Sequence, residues 1–170
     1  MRFRAVVVGY LLLVFVLVGC GGKGRPRLVK VTGKVTLDGK PVEGAQVAFQ
    51  FVADAKAKYQ RPSRGMTNSS GEFTLGTYAG DDGAPVGKYK VGILKKDIVG
   101  KLPENYNSEM EGKLNLTYKW ITPKSVSDPE SSGLTAEITS SGLKPDTFDL
   151  KASAQPETER TGPQARANDP

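Results

Sequence analysis

The stretch "VTGKVTLDGKPVEGAQVAFQF", residues 31–51, contains two runs of alternating apolar and polar residues around a turn-forming segment. In the second run, Val47, Phe49 and Phe51 share one parity, while small or polar residues occupy the other. Such alternation is typical of a β-strand with one face on a core and the other in water. Between the runs, residues 38–41 read "DGKP", where Asp-Gly tolerates positive φ and proline cannot extend a ladder. The pattern predicts two strands joined by a tight turn.

The same alternation recurs along the chain between polar, glycine-rich turns. The further residues predicted to face inward are Phe73, Leu75, Tyr89, Val91, Ile93, Leu134, Ala136, Ile138, Phe148 and Leu150. No convincing amphipathic helix interrupts these runs. We therefore predict an all-β fold, a single antiparallel β-sandwich of about seven strands over residues 29–151.

Several of these segments carry a family resemblance. The quoted stretch at 31–51, "TNSSGEFTLGTY" at 67–78 and "GAPVGKYKVGI" at 83–93 resemble carboxypeptidase regulatory-like domains, which are transthyretin-like sandwiches of seven strands. "SGLTAEI" at 132–138, with "FDL" at 148–150, resembles the ending of small bacterial lipoproteins of this type. The resemblance implies a fold and a location, and little chemistry.

The N-terminus has the layout of an export signal. Arg2 and Arg4 precede an uncharged apolar run, residues 5–17, which is shorter than the roughly 20 residues of a membrane-spanning helix. Residues 17–20, "LVGC", resemble the lipobox of bacterial lipoproteins. That resemblance implies that Cys20, the single cysteine of the chain, carries a covalent lipid such as palmitate.

The lipobox resemblance also implies cleavage between Gly19 and Cys20, so residues 1–19 are predicted to be a lipoprotein signal peptide. An ordinary secretory signal, which leaves Cys20 free or removes it, and an uncleaved signal anchor are the alternatives. The following "CGGKGRPRL", residues 20–28, combines glycine, proline and spaced positive charge and predicts a flexible tether. Gly21 stands where well-studied lipoproteins retained in the inner membrane have aspartate, so the resemblance implies sorting to the outer membrane.

The charge of the chain gives no sign of a nucleic-acid partner. Its formal net charge of +6 falls to +4 when Arg2 and Arg4 leave with the signal. There is no dense block of lysine and arginine with interleaved aromatic residues, and export removes access to nucleic acid. The predicted partners are the membrane, through the lipid, and envelope proteins or polysaccharide.

The absence of histidine from the whole sequence removes the commonest general base and the commonest metal ligand. Zinc carboxypeptidases and transthyretin-like hydroxyisourate hydrolases need histidines, so the resemblance implies neither activity here. Cys20 has no histidine to activate it as a nucleophile. The serines lie in turn-like contexts, with no spacing that pairs one of them with a lysine.

Four carboxylates remain as candidates for acid–base or metal chemistry. Asp81 and Asp82 are adjacent in a glycine-rich loop, and Glu109 and Glu111 lie in a long connection. Nothing in the sequence places a pair across a cleft, and calcium takes six to eight oxygens, so solvated loop charge is the favoured interpretation. We predict no catalytic residue, no metal and no cofactor besides the lipid.

The connection at residues 97–122 matches no specific part of the family and is too long for a plain hairpin loop. Residues 114–120 alternate in polarity and predict an extra or edge strand within this insert. Tyr106, Tyr118 and Trp120 are candidate ligand contacts, as an exposed aromatic platform for sugar rings or a partner protein. Packing of a buried strand face is the alternative, and the shared parity favours it.

The last segment, residues 152–170, has three prolines, no aromatic residue and scattered charge of both signs, and we predict that it is disordered. Taken with the absence of catalytic groups, these features predict a non-catalytic, membrane-anchored envelope lipoprotein. Its sandwich is expected to bind or assemble proteins. A polysaccharide-binding module is the alternative, and an envelope hydrolase is a distant one.

Overall fold

The computed structural model describes residues 25–52, 61–110 and 113–163. The predicted signal peptide, Cys20 and the tether up to residue 24 lie outside these residues. The described chain is all-β, and its sheets are mostly antiparallel. Helix is almost absent from it, with single 3-10 turns at Ser108–Met110 and Lys124–Val126.

The strands are numbered in chain order. They are β1 Leu28–Val29, β2 Thr32–Leu37, β3 Lys40–Pro41, β4 Gln46–Phe51, β5 Ser63–Met66, β6 Glu72–Thr74, β7 Ala84–Pro85, β8 Gly87–Leu94, β9 Lys96–Val99, β10 Leu116–Trp120, β11 Leu134–Thr139, β12 Gly142–Lys144, β13 Thr147–Leu150 and β14 Thr158–Thr161. The described residues thus form fourteen strands, and the predicted count of about seven is not confirmed. The count is higher because several strands next to glycine or proline have only two residues, and because the insert and the tail add strands.

Two sheets carry the core. The larger one has the order β12-β11-β8-β4-β5, with every pair antiparallel. In the other, β2 is central, with β13 parallel on one side and β3 and β6 antiparallel to it. The β2–β13 pairing joins two segments more than 100 residues apart in the sequence, Lys34 to Thr147 at one end and Leu37 to Leu150 at the other.

The turn between β2 and β3 is the one predicted from "DGKP". Asp38 has φ of 48° and Gly39 has φ of 78°, which is the pair of positive φ values that a two-residue hairpin of type I′ requires. The Asp149 carboxylate on β13 accepts hydrogen bonds from the Gly39 amide at 2.9 Å and the Thr36 hydroxyl at 2.7 Å. Contacts from β13 therefore hold this turn in place.

The core confirms the predicted strand faces. Phe49 is fully buried at its centre, and its ring lies 5.7 Å from the Tyr89 ring within the same sheet. It also lies 6.1 Å from the rings of Phe73 and Phe148, which belong to the other sheet. The predicted inward residues that are buried in this cluster are Val47, Phe49, Phe73, Leu75, Tyr89, Val91, Ile93, Ala136, Ile138, Phe148 and Leu150. Val31 and Val35, from the first alternating run, are buried with them. One apolar cluster thus joins the two sheets.

The two ends of β8 carry different features. At its start, β7 pairs with β1, where the described chain enters the fold. Beyond its end, the chain continues into β9, which forms a separate three-stranded sheet with β10 and β14. At about 3.3 Å per residue, the eight residues of β8 separate the entry end from this three-stranded extension by about 26 Å.

Two expectations at the ends of the chain differ from the structure. The tail predicted to be disordered, residues 152–170, contains β14, because Thr158–Thr161 pair with the backbone of β10. The end of the predicted tether is also held, since Leu28 pairs with Pro85 and the Arg25 guanidinium lies 4.8 Å from the centre of the Tyr78 ring. Neither segment has a strong apolar pattern. The backbone pairing and the cation–π contact that hold them therefore could not be predicted from their polar sequences.

Candidate functional site

The three-stranded extension contains the insert residues that the sequence singled out. Its middle strand is β10, flanked by β9 and β14, so the predicted extra strand is present but is not an edge strand. Leu116, Tyr118 and Trp120 share one face of β10, and the exposed fractions of Tyr118 and Trp120 are only 4% and 8%. These two rings are therefore packed and do not form an exposed platform. Tyr106 is half-buried, and its backbone amide donates a hydrogen bond to Pro103 O at 3.0 Å.

A cluster of charged groups covers the two rings of β10. The Lys96 ammonium lies 4.1 Å from the centre of the Tyr118 ring and 5.7 Å from that of Trp120. The Lys124 ammonium lies 5.6 Å from the Trp120 ring. Glu159 on β14 pairs with both lysines, at 3.6 Å to Lys96 and 3.3 Å to Lys124. We call Lys96, Tyr118, Trp120, Lys124 and Glu159 the extension cluster; it ties the tail to the insert.

Sequence reasoning identified the aromatic members of the extension cluster and missed its charged members. Glu159 is more than 30 residues from Lys124 and more than 60 from Lys96, so no local spacing relates them. The strand that carries Glu159 reads "TERT", without an apolar residue to mark it. The only available signal was the alternation at 114–120, which predicts a strand but not its partners.

The apolar surface of the extension lies on its edge strand and the segment after it. Val99, the last residue of β9, is 53% exposed, and Leu102 is 39% exposed. Among the residues that the structure describes, β9 pairs along one edge only, with β10. Two exposed aliphatic side chains next to an open strand edge make this a candidate contact surface.

The loop of Asp81 and Asp82 uses its second carboxylate for its own structure. Asp82 accepts hydrogen bonds from the backbone amides of Thr77 at 2.6 Å, Tyr78 at 3.2 Å and Ala79 at 3.0 Å. These bonds, led by the one from Thr77, lower the pKa of the Asp82 carboxyl. Asp82 therefore stabilises the conformation of its own loop. Among the described residues, no group of three or more candidate metal ligands occurs.

The remaining candidates for catalysis also have structural partners. The Ser63 hydroxyl is fully buried and hydrogen-bonded to the Thr77 hydroxyl at 2.8 Å, which in turn donates to Gly83 O at 2.6 Å. The Ser132 hydroxyl donates to Val91 O at 2.6 Å. These serines meet no lysine base through a hydrogen bond. Glu109 is exposed, while Glu111 and Cys20 lie outside the described residues.

Comparison with known protein families, curated proteins and solved structures finds no match to this chain. In the described part of the chain, no helix has the length and apolar character needed to cross a membrane.

Proposed function

We propose that this chain is a membrane-anchored lipoprotein of the cell envelope. Residues 1–19 act as the signal peptide, and Cys20 becomes the acylated first residue of the mature protein. The support is the order of charge, apolar run and "LVGC" in the sequence. Several acyl chains together give stable anchoring where one is marginal, since each buried methylene contributes about 0.8 kcal/mol. Sorting to the outer membrane is proposed because Gly21 stands in place of aspartate.

The proposed domain type is a transthyretin-like, carboxypeptidase regulatory-like sandwich over residues 29–151. Its two layers are the five-stranded sheet and the sheet centred on β2. The contacts of Phe49 with Phe73 and Phe148 support this assignment, because they bridge the two sheets. The insert at 97–122 and the tail strand β14 are additions to that plan.

The domain is proposed to be a non-catalytic module that binds or assembles envelope proteins. The observation that carries this proposal is the exposed pair Val99 and Leu102 beside the open edge of β9. This surface lies at the end of β8 opposite the chain entry, and therefore away from the anchor. Aliphatic side chains beside an unpaired strand edge suit a protein partner better than a polar glycan.

Polysaccharide binding is the second candidate, and an envelope hydrolase is a distant third. A glycan site here would depend on Tyr106, which is the one candidate aromatic that is half-exposed. The packed rings of Tyr118 and Trp120 count against a broad stacking platform. Hydrolysis would need catalytic groups other than Ser63, Ser132 and Asp82, whose hydrogen bonds serve the fold.

The test is site-specific photo-crosslinking of the full-length chain in cells. The crosslinker replaces Val99, and Val86 is the matched control, because it is also 53% exposed and lies at the entry end of β8. After recovery from membranes, mass spectrometry identifies the crosslinked partner and the modification of the N-terminus. We expect one stoichiometric protein from position 99, none from position 86, and loss of the crosslink from position 99 when Leu102→Asp is added.

Other outcomes assign a different function. Retention by envelope polysaccharide, without a protein crosslink, would favour the glycan-binding alternative. Turnover of a peptide, ester or glycan that a single substitution abolishes would contradict the non-catalytic proposal. A non-acylated N-terminus would contradict the anchoring.

A further inference from the structure

The entry end of the domain contains a basic hollow that the sequence did not reveal. Its volume is about 450 Å³, and its lining includes Arg61, Arg64 and Tyr78. Pro62 and the other residues of 76–80 line the rest of it. The hollow therefore combines two guanidinium groups with an aromatic ring at one place on the surface.

Two more arginines enter the fold beside the hollow. The Arg25 guanidinium lies 4.8 Å from the centre of the Tyr78 ring, and Arg27 is exposed just before β1. The six ion pairs between described residues all use lysine, so none of these arginines is neutralised by a described carboxylate. Arg25, Arg61 and Arg64 form one basic entry face around Tyr78.

The nearby acidic groups leave this entry face positive. Asp82 is engaged by three backbone amides of its own loop, and Asp81 is its exposed neighbour. Among the described residues, three guanidinium groups against two carboxylates leave one uncompensated positive charge. Guanidinium groups bind phosphate oxygens through paired hydrogen bonds, so this surface is complementary to a phosphate-bearing ligand.

The number of residues between Cys20 and Arg25 limits the distance between the basic entry face and the lipid. Arg25 follows Cys20 by five residues, which span at most about 17 Å when fully extended. Because Arg25 lies against Tyr78, one wall of the basic hollow lies next to the end of that reach. That distance is about two Debye lengths at physiological ionic strength, so a small approach brings the arginines into the field of an anionic surface.

We infer that the basic entry face docks on the anionic phospholipid headgroups of the membrane that holds the lipid anchor. The inference rests on the proposed anchoring and adds an orientation to it. With Arg61 and Arg64 against the headgroups, the β5 edge of the five-stranded sheet faces the bilayer. The anchor alone would leave the domain free to tumble on its tether.

The test places a polarity-sensitive fluorophore in the hollow of the full-length lipoprotein, reconstituted in lipid vesicles. Gly80→Cys suits the label, because a Cβ at this position meets no atom within 4 Å and Cys20 is blocked by its lipid. Lys40→Cys is the control label, since it is exposed at the far end of β2 from the chain entry. The vesicles contain phosphatidylglycerol with phosphatidylcholine, or phosphatidylcholine alone.

We expect the label at position 80 to shift to the blue in anionic vesicles only, while the label at position 40 stays unchanged. Each basic residue near such a surface contributes about fivefold, so Arg61→Gln with Arg64→Gln lowers the docking constant about 30-fold and abolishes the shift. The charge-matched control, Lys113→Gln with Lys119→Gln, removes two exposed lysines outside the entry face and leaves the shift intact.

Several results would overturn the docking. They are an equal shift in neutral vesicles, a shift that survives removal of both arginines, a shift produced by soluble glycerophosphate without vesicles, and a shift that appears only with an added protein. An acylated N-terminus with any of these overturns the docking and leaves the proposed function standing. A non-acylated N-terminus overturns both, because the short reach to the surface is lost.

Discussion

Trp120 has the largest side chain in the three-stranded extension. Its side chain is 8% exposed and lies under the ammonium groups of Lys96 and Lys124. Its indole N–H is buried without a hydrogen-bond partner among the described residues. Trp120→Ala removes a large buried ring and is expected to lower the free energy of unfolding by about 3–5 kcal/mol.

Trp120→Phe separates the packing of this ring from its polar group. Phenylalanine keeps a ring beneath both ammonium groups and removes a buried, unpaired donor, whose burial costs about 1–3 kcal/mol. The smaller ring loses some contact area, which offsets that gain, so we expect a net change within about 1 kcal/mol. The two variants should therefore differ in stability by at least about 2 kcal/mol.

The assay is urea unfolding of the full-length chain and both variants, followed by circular dichroism in the same detergent. A shift of the midpoint at unchanged slope measures the loss of stability. Retention of each folded variant on envelope polysaccharide is measured in parallel. If Trp120→Ala costs less than about 1 kcal/mol, the packing argument is wrong. If it also loses glycan retention while folded, the aromatic-platform hypothesis replaces it.

Four further substitutions test the core and the hydrogen bonds that hold the first turn. Phe49→Ala, at a fully buried ring with three aromatic neighbours, should cost about 3–5 kcal/mol in urea unfolding, and half-buried Phe51→Ala distinctly less; equal losses would contradict the assigned core centre. Tyr89→Phe removes the 2.6 Å hydrogen bond from Tyr89 to Pro85 O and should cost about 1–2 kcal/mol, whereas no loss would show that water satisfies this carbonyl. The hydrogen bond from Lys151, the largest cause, lowers the pKa of Asp149 from 3.8 to about 2, so its stabilisation is present above pH 4 and is lost as pH falls towards 2. The stability difference between wild type and Asp149→Asn should shrink over that interval, and a constant difference would refute the role of the charge.

The strand faces were predictable from sequence because a strand alternates its side chains with a period of two. Val47 and Phe49 occupy the core as that period requires, and the Asp-Gly pair at the first hairpin adopts the positive φ values its residue types permit. The absence of histidine likewise limited the chemistry before any contact was known. These are local properties of residue type and spacing.

The contacts of the insert and the tail could not be predicted in the same way. The alternation in residues 114–120 identified a strand, but the pattern did not distinguish a buried face from an aromatic platform. Both require large side chains at every second position, and only the neighbouring Lys96 and Glu159 show that the rings are packed. The tail strand was missed because its polar residues carry no periodic signal.

The sequence by itself determined the all-β class, the inward faces and the first turn, and it supplies the whole basis for the proposed lipid anchor. Only the tertiary structure decided that β13 lies parallel to β2, that β14 completes the extension, and that Arg61 and Arg64 meet Tyr78 in one hollow. Such contacts join residues far apart in the chain, where backbone pairing and shape select the partner and nearest-neighbour patterns carry no information about it.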